Sequence, residues 1–314
     1  MASDPLGTAD LLADALDLTP TETSNLRNAA PFVSMLPAVP SSNGTTHKYP
    51  VETGAPVVGY RSVNAGRDTD SSIDTVTTVN LAVLDWSFYV DQALAAVWRR
   101  GGKAAVLARE ANRHLRSALF AYEQQIFYGT TSPGDSGGFS GLGNSTAYDG
   151  ASDAMVVDAT GTTATTGSSV WAIRIGPDDF QAVYNSDEIV NVDQMPTSTY
   201  MTDGSGKLFP IWWVGACTWN AIQIGGTYSA VRIANLTEDS GKGLTDALLA
   251  KALEKFKPNQ GPTVFVMNKR SQRQLRASRT ATNPTGAPAP FPDEAFGVPI
   301  LITDAITSTE TLLS

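Results

Sequence analysis

The chain has 314 residues, 42 % of them apolar and 17 % charged, with a formal net charge of −9. That length can bury a sizeable core, in one large domain or two small ones, while the acidic balance argues against tight nucleic-acid binding, which needs a net basic face. The single cysteine, Cys217, excludes an intrachain disulfide. Met-Ala-Ser-Asp-Pro opens without a basic and then apolar leader, and the longest strongly apolar run, Ile211 to Trp219, is far short of the ~20 residues of a spanning helix. A soluble protein made in a reducing cytoplasm is expected.

Residues 1–44 read as an arm. Thr8 to Leu18 is a short amphipathic stretch with Leu11, Leu12, Ala15 and Leu16 on one face, stopped by Thr19-Pro20. Pro31, Pro37 and Pro40 then keep Pro31–Ser42 extended, with Phe32, Val33, Met35 and Leu36 as apolar contacts that must be met within the fold or on a neighbour. Residues 45–85 read as a long two-stranded excursion. Its rising arm, Thr46 to Val63, holds Gly54, Pro56 and Gly59; its tip, Asn64 to Asp68, has turn chemistry; its returning arm alternates through Ile73, Thr75, Thr77, Val79, Leu81 and Val83. Two strands alone are marginal in water, so the excursion is expected to lie on another surface.

Trp86 to Trp98 is apolar and helix-compatible up to Gly101-Gly102. The clearest helix follows, Lys103 to Tyr128, with Leu107, Ala111, Leu115, Ala118, Tyr122 and Ile126 on one face and Arg109, Arg113, Arg116 and Glu123 mostly elsewhere. Gly129 is its C-cap, and at 1.5 Å per residue it is roughly 40 Å long. Residues 130–168 read as loop. Strands are expected at Val170 to Ile175, Ala182 to Tyr184, Phe209 to Ile224, Ala230 to Ile233, Thr263–Met267 and Val298–Ile302. Helices are expected at Leu244 to Phe256 and Lys269–Arg279, with a Pro-rich loop over Asn283–Pro292. The mixture indicates an α+β fold.

Chemistry is thin. Gly134-Asp135-Ser136-Gly137-Gly138 matches the nucleophile motif of trypsin-like proteases, but that motif needs a histidine base and an orienting aspartate. The two histidines lie at the base of the excursion (His47) and inside the long helix (His114), so a polar turn is the expected role and a serine hydrolase a remote alternative. One cysteine and two distant histidines offer no metal cluster, and Asp68/Asp70, Asp178/Asp179 and Asp187/Glu188 read as loop charges. No catalytic, cofactor-binding or metal residue is expected, and no cofactor. Two basic clusters, Arg99, Arg100, Lys103, Arg109, Arg113 and Arg116, then Lys269, Arg270, Arg273, Arg276 and Arg279, hold 11 of the 22 Lys and Arg. They suit either an acidic partner or solvated helix faces with local pairs. Trp212, Trp213 and Trp219 read as core, with Cys217 an inert buried thiol among them.

The order of features (arm, long two-stranded loop, spine helix, Gly-rich segment, mixed strands and helices) resembles the major capsid proteins of tailed bacteriophages, with the Hong Kong 97 (HK97-like) fold. The strings Tyr122-Glu-Gln-Gln-Ile-Phe-Tyr-Gly129, Phe139-Ser-Gly-Leu142, Ser168-Ser-Val-Trp-Ala-Ile-Arg-Ile-Gly-Pro177 and Tyr228-Ser-Ala-Val-Arg-Ile-Ala-Asn235 are similar to one branch of them. The resemblance implies an N-terminal arm (1–44), an extended loop (45–85), a peripheral domain (86–135 and 205–235, spine helix 103–128) and an axial domain (136–204 and 236–314). The unit Thr263–Met267, Lys269–Arg279 and Val298–Ile302 comes last rather than directly after the spine helix, which suggests a permuted order of elements.

A capsid protein of this kind implies hexamers and pentamers of an icosahedral virion enclosing double-stranded DNA. It also implies homo-oligomeric capsomers, a portal, a separate scaffolding protein, an optional decoration protein, non-specific contact with packaged DNA and assembly in the host cytoplasm. An encapsulin-like shell is the nearest alternative, disfavoured by the long arm. Some relatives weld their shells through a loop lysine; here the excursion carries only Lys48, near its base, and Arg67 at the tip, so no crosslink is expected. Arm and loop are expected to lie over adjacent subunits.

Overall fold

A computed structural model describes residues 30–68, 70–98, 101–185, 191–192, 196–283 and 287–314. The expected helix Thr8–Leu18, Arg99 and Arg100, and the pair Asp187/Glu188 lie outside the described residues.

Trp86 to Trp98 is not one helix. Phe88–Asp91 is a strand whose Phe88 and Val90 point into a small core, and only Gln92–Val97 (α1) is helical. The strand half pairs with residues 211–214, where its aromatic and β-branched residues fit the pleat, and the Asp91 carboxylate accepts from the Ala93 amide at 2.7 Å, capping α1. Then comes α2, Gly102–Tyr128, the expected spine within one residue. It stops at Gly129, whose φ of +59° and crowding against Asn144 admit only glycine. Its last two turns are buried on nearly every side, so Glu123 and Gln125 lie inside with Tyr122, Ile126, Phe127 and Tyr128.

The described residues form four sheets. A five-stranded sheet carries Ala38–Pro40, Phe180–Tyr184, Ala216–Ile224 and Ala82–Asp85 in that spatial order, with Asn191–Val192 also on Ala216–Ile224. A three-stranded sheet runs Thr197–Thr202, Leu208–Val214, Phe88–Asp91. The expected single strand Phe209 to Ile224 is therefore two, broken at Gly215 and shared between these sheets. The six-stranded sheet runs Glu294–Ala295, Val298–Ile302, Val264–Met267, Ser168–Ile173, Ala230–Leu236, Val156–Asp158. Ser168–Ile173, Ala230–Leu236 and Val264–Met267 are buried throughout, as near-continuous apolar central strands require. Helices Asp246–Glu254 (α3) and Lys269–Ala281 (α4) accompany that sheet, capped by Thr245 and Asn268. Ala230–Leu236, expected with the spine helix, thus pairs with strands expected in the axial domain.

The fourth sheet is the hairpin Thr46–Gly54 with Ile73–Asn80, registered from Thr46 opposite Asn80 to Gly54 opposite Ile73. The rising ladder ends at Gly54, earlier than the expected Val63, and a register shift between Glu52 and Gly54 precedes it. Asn64, at φ +65°, marks the turn at the tip. The tryptophans divide. Trp219 packs on the main core, Trp212 on the small core, whereas Trp213 is 38 % exposed; Cys217 is only half-buried. Alternation along Leu208–Val214 turns one of the adjacent pair outward.

Candidate functional site

Three features could do something: the hairpin, the arm entering at Ala30, and the glycine-rich turn at Ser136.

The hairpin is held at its base and bare beyond it. His47 Nε2 donates to Gln223 Oε1 at 2.9 Å, and the Tyr49 hydroxyl donates to the Ile224 carbonyl at 2.8 Å, fixing the lower ladder to the five-stranded sheet. The Gln223 oxygen also accepts from Gln181 at 2.9 Å. Farther out, Val57, Val58, Tyr60, Val63, Ile73 and Val76 are all exposed, Val58 at 82 % and Tyr60 completely. Scattered exposed apolar residues are ordinary, but six gathered on one hairpin make a contiguous candidate contact surface.

The arm behaves differently. Phe32 is fully buried, its ring 5.3 Å from Phe127 and 5.9 Å from Phe180. Glu123 Oε2 accepts from the Phe32 and Val33 amides at 2.9 and 3.2 Å, and Oε1 accepts from the Thr303 hydroxyl. Burial pushes the Glu123 carboxyl above the usual glutamate range, against the pull of those donors. Ala38–Pro40 then adds a parallel strand beside Phe180–Tyr184. Residues 30–40 therefore find their partners within the chain, and the expectation that the whole arm must lie on neighbours does not hold for them.

The turn at Ser136 is tied by Gln125. Its amide oxygen accepts from Asp135 N at 2.7 Å, and its nitrogen donates to the carbonyls of Asp135 and Phe139 at 3.1 and 2.7 Å. The hollow there, about 570 Å³, is lined by residues such as Tyr122, Gln124, Gln125 and Asn220 and contains neither histidine. His47 is bonded to Gln223, and His114 stacks on Phe88 at 5.2 Å. The geometry is that of a clamped polar turn.

The basic clusters are largely occupied at home. Lys103 sits 3.1 Å above the Trp212 ring, Arg109 lies over Trp98, and Arg113 pairs with Glu110. On α4, Arg273 pairs with Glu238 at 2.5 Å and Arg279 with Asp246 at 2.7 Å; Arg270 reaches the Leu236 and Ser308 carbonyls, and Arg276 lies over Phe291. Local pairing is the reading these contacts favour. Of the acidic pairs, Asp179 takes an ion pair from Arg174 while Asp68 and Asp70 are exposed. Among the described residues, no group of three or more His, Cys, Asp or Glu comes together as a metal site, and no helix is long and apolar enough to cross a membrane.

The polar centres that organise the fold are ones sequence reasoning passed over. Arg232, inside the six-stranded sheet, pairs with Glu310 at 3.1 Å; Ser169 donates to the same carboxylate, and Tyr128 donates to its other oxygen at 2.7 Å. The chain's last residues are thereby bound to the end of α2 and to the central strands. Asp239 gathers the Thr162 and Thr163 amides and the hydroxyls of Thr163 and Thr237, which hold its carboxyl well below the usual range. A charged residue amid a run of buried apolar ones, as Arg232 in Ala230–Leu236, was the available signal.

An extended hairpin, a long spine helix and a sheet-and-helix body define a shell-building subunit of the HK97-like capsid fold. A chain in the near-atomic structure of bacteriophage Epsilon15 has this fold, with a TM-score of 0.71 at 18 % identity over 100 % of this chain and 98 % of that one. Two bacteriophage JBD30 structures agree. Its capsid gives 0.52 at 12 % identity, covering 94 % and 97 %; its capsid decorated with minor capsid protein trimers gives 0.51 at 12 %, covering 97 % and 100 %. Residues 23–314 match the family described as major capsid protein GP7, and the chain belongs to that family. The comparison with curated proteins gives no match. The chain is a structural protein of a phage capsid, built into the virion from repeated copies.

Proposed function

We propose that the subunit forms the hexamers and pentamers of an icosahedral head around double-stranded DNA, with the hairpin of residues 45–85 laid over a neighbouring subunit. The observation that carries this is the anchored base and bare apolar tip of that hairpin. Full burial of a valine-sized side chain contributes roughly 1.5–3 kcal/mol, so one tip seated on each neighbour, repeated around a closed lattice, supplies a large cohesive term. In this reading α2 with the five- and three-stranded sheets is the peripheral part. The six-stranded sheet with α3 and α4 is the axial part, and it takes Ala230–Leu236 with it. The chain acts without catalysis. It touches packaged DNA non-specifically, and it assembles in the host cytoplasm on a separate scaffolding protein and a portal, with room for a decoration protein outside.

The test replaces residues 55–72 by an Asn-Gly turn. The expected product is a folded, soluble subunit that no longer forms shells when expressed with its scaffold, read by circular dichroism and electron microscopy. Normal shells from that variant defeat the proposal. The nucleic-acid content of wild-type particles from infected cells separates a genome container from a cargo-protein compartment.

A further inference from the structure

An apolar groove lies open beside the point where the described chain begins. It occupies about 230 Å³ between α2 and the face of the five-stranded sheet, and Val33, Leu36, Leu84, Trp86, Leu115 and Leu119 are among its walls. Leu115 is 37 % exposed there, although it belongs to the apolar face of α2. Trp86 is 8 % exposed, and its indole N–H is buried without an acceptor. A buried donor left unpaired is costly and rare in folded proteins. An occupant that completes this groove brings aliphatic side chains.

We propose that residues 8–18 of the same chain seat in this groove in the unassembled subunit. Their spacing supplies Leu11, Leu12, Ala15 and Leu16 on one face. Asp10, Asp14 and Asp17 fall on the opposite face, outside the groove, and Arg116 is exposed on α2 next to Leu115. The chain arrives at the right place: Phe32 is pinned to α2 through Glu123, and Val33 and Leu36 are themselves walls of the groove. The link of residues 19–29 spans at most ~3.3–3.6 Å per residue. That is ample to reach the groove and short enough to hold the segment at a local concentration in the millimolar range. A dilute sister copy cannot compete with that. The groove is thus self-covered until lattice contacts offer the segment another seat. The inference rests on the shell reading only in treating the free subunit as a real stage.

The test uses full-length protein in a Cys217→Ala background with Leu12→Cys and Leu115→Cys, treated at high dilution with a short bis-maleimide. An intramolecular product is expected, at least fivefold more abundant than with Leu12→Cys and Ser117→Cys, since Ser117 lies on the far side of α2. Equal yields from the two pairs, or dimers in place of the intramolecular product, overturn the proposal. Independently, Leu12→Asp with Leu16→Asp is expected to speed hydrogen exchange in Ala82–Asp85 and around Leu115 by threefold or more; unchanged exchange overturns it. Shell formation is scored on the same preparations. Shells without the crosslink remove the groove contact and leave the shell reading standing, whereas wild-type subunits that never form shells count against the shell reading itself.

Discussion

Residues 30–40 and the outer hairpin are both short apolar stretches with little helix, yet they end in opposite surroundings. Phe32 has no exposed surface, while Tyr60 is fully exposed. The difference lies in what each meets. The arm runs past the closing turns of α2, where Phe127 and Phe180 form an aromatic socket and Glu123 takes two backbone amides that a buried segment would otherwise leave unpaired. Past Glu52 the hydrogen bonds of the hairpin's described residues stay within it: the ladder ends at Gly54 opposite Ile73, and Arg67, Arg61 and Thr53 donate to the carbonyls of Val57, Ala65 and Ile73. An apolar stretch becomes core when a neighbour satisfies its main chain as well as its side chains, and stays exposed when only its own hairpin does.

The sharpest way to break that contrast is Phe32→Ala. Emptying a fully enclosed aromatic site costs about 3–5 kcal/mol, so urea unfolding of the unassembled subunit is expected to show a stability loss of that size. A loss below ~1 kcal/mol would mean that the socket is not part of the folding core.

A smaller effect is expected at the carboxylate that receives the arm. Glu123→Ala strands two amides and the Thr303 hydroxyl, a penalty on the order of 1–3 kcal/mol. Glu123→Gln keeps an acceptor for the amides and a donor for Thr303, and it should cost much less. The two also differ in pH response. Because burial raises the folded carboxyl above its unfolded value, ~4.3, folding favours the protonated form. That contribution is fully present below the unfolded value and is lost as pH rises through the raised folded one. Wild type should therefore lose stability relative to Glu123→Gln as pH rises above the unfolded value of about 4.3. Denaturation series at several pH values would show it, and a constant difference would rule it out.

The same division governs what could be read before the fold was known. Periodicity exposed α2, α3 and the returning arm of the hairpin, because each repeats one face at helix or strand spacing. It failed where tertiary partners decide. Phe88–Asp91 is a strand because Leu208–Val214 lies beside it. Glu123 and Arg232 look like surface charges until buried donors and acceptors from distant segments, Thr303 and Glu310, are brought against them. As for the candidate contact surface, alternation marked the hairpin, but nothing in the spacing of Phe32 distinguished a residue that folds inward from one that stays exposed. Sheet membership across the chain was equally hidden, since Ala230–Leu236 reaches both Val156–Asp158 and Ser168–Ile173 over long separations.

The smallest expected change in subunit stability comes from the hairpin, and it carries the largest change in behaviour. Val58→Ser with Tyr60→Ser removes apolar surface that the subunit itself never buries, so unfolding of the free subunit should shift by no more than about 0.5 kcal/mol. If a neighbour does bury those side chains, each lost contact recurs at every copy of the interface, and at roughly 1.5–3 kcal/mol per fully buried side chain the shell cannot compensate by local repacking. Sedimentation of the co-expressed variant should then show free subunits or capsomers in place of particles. A stability loss of several kcal/mol in the free subunit would instead place these residues in a core of its own, and the contrast between hairpin and arm would disappear.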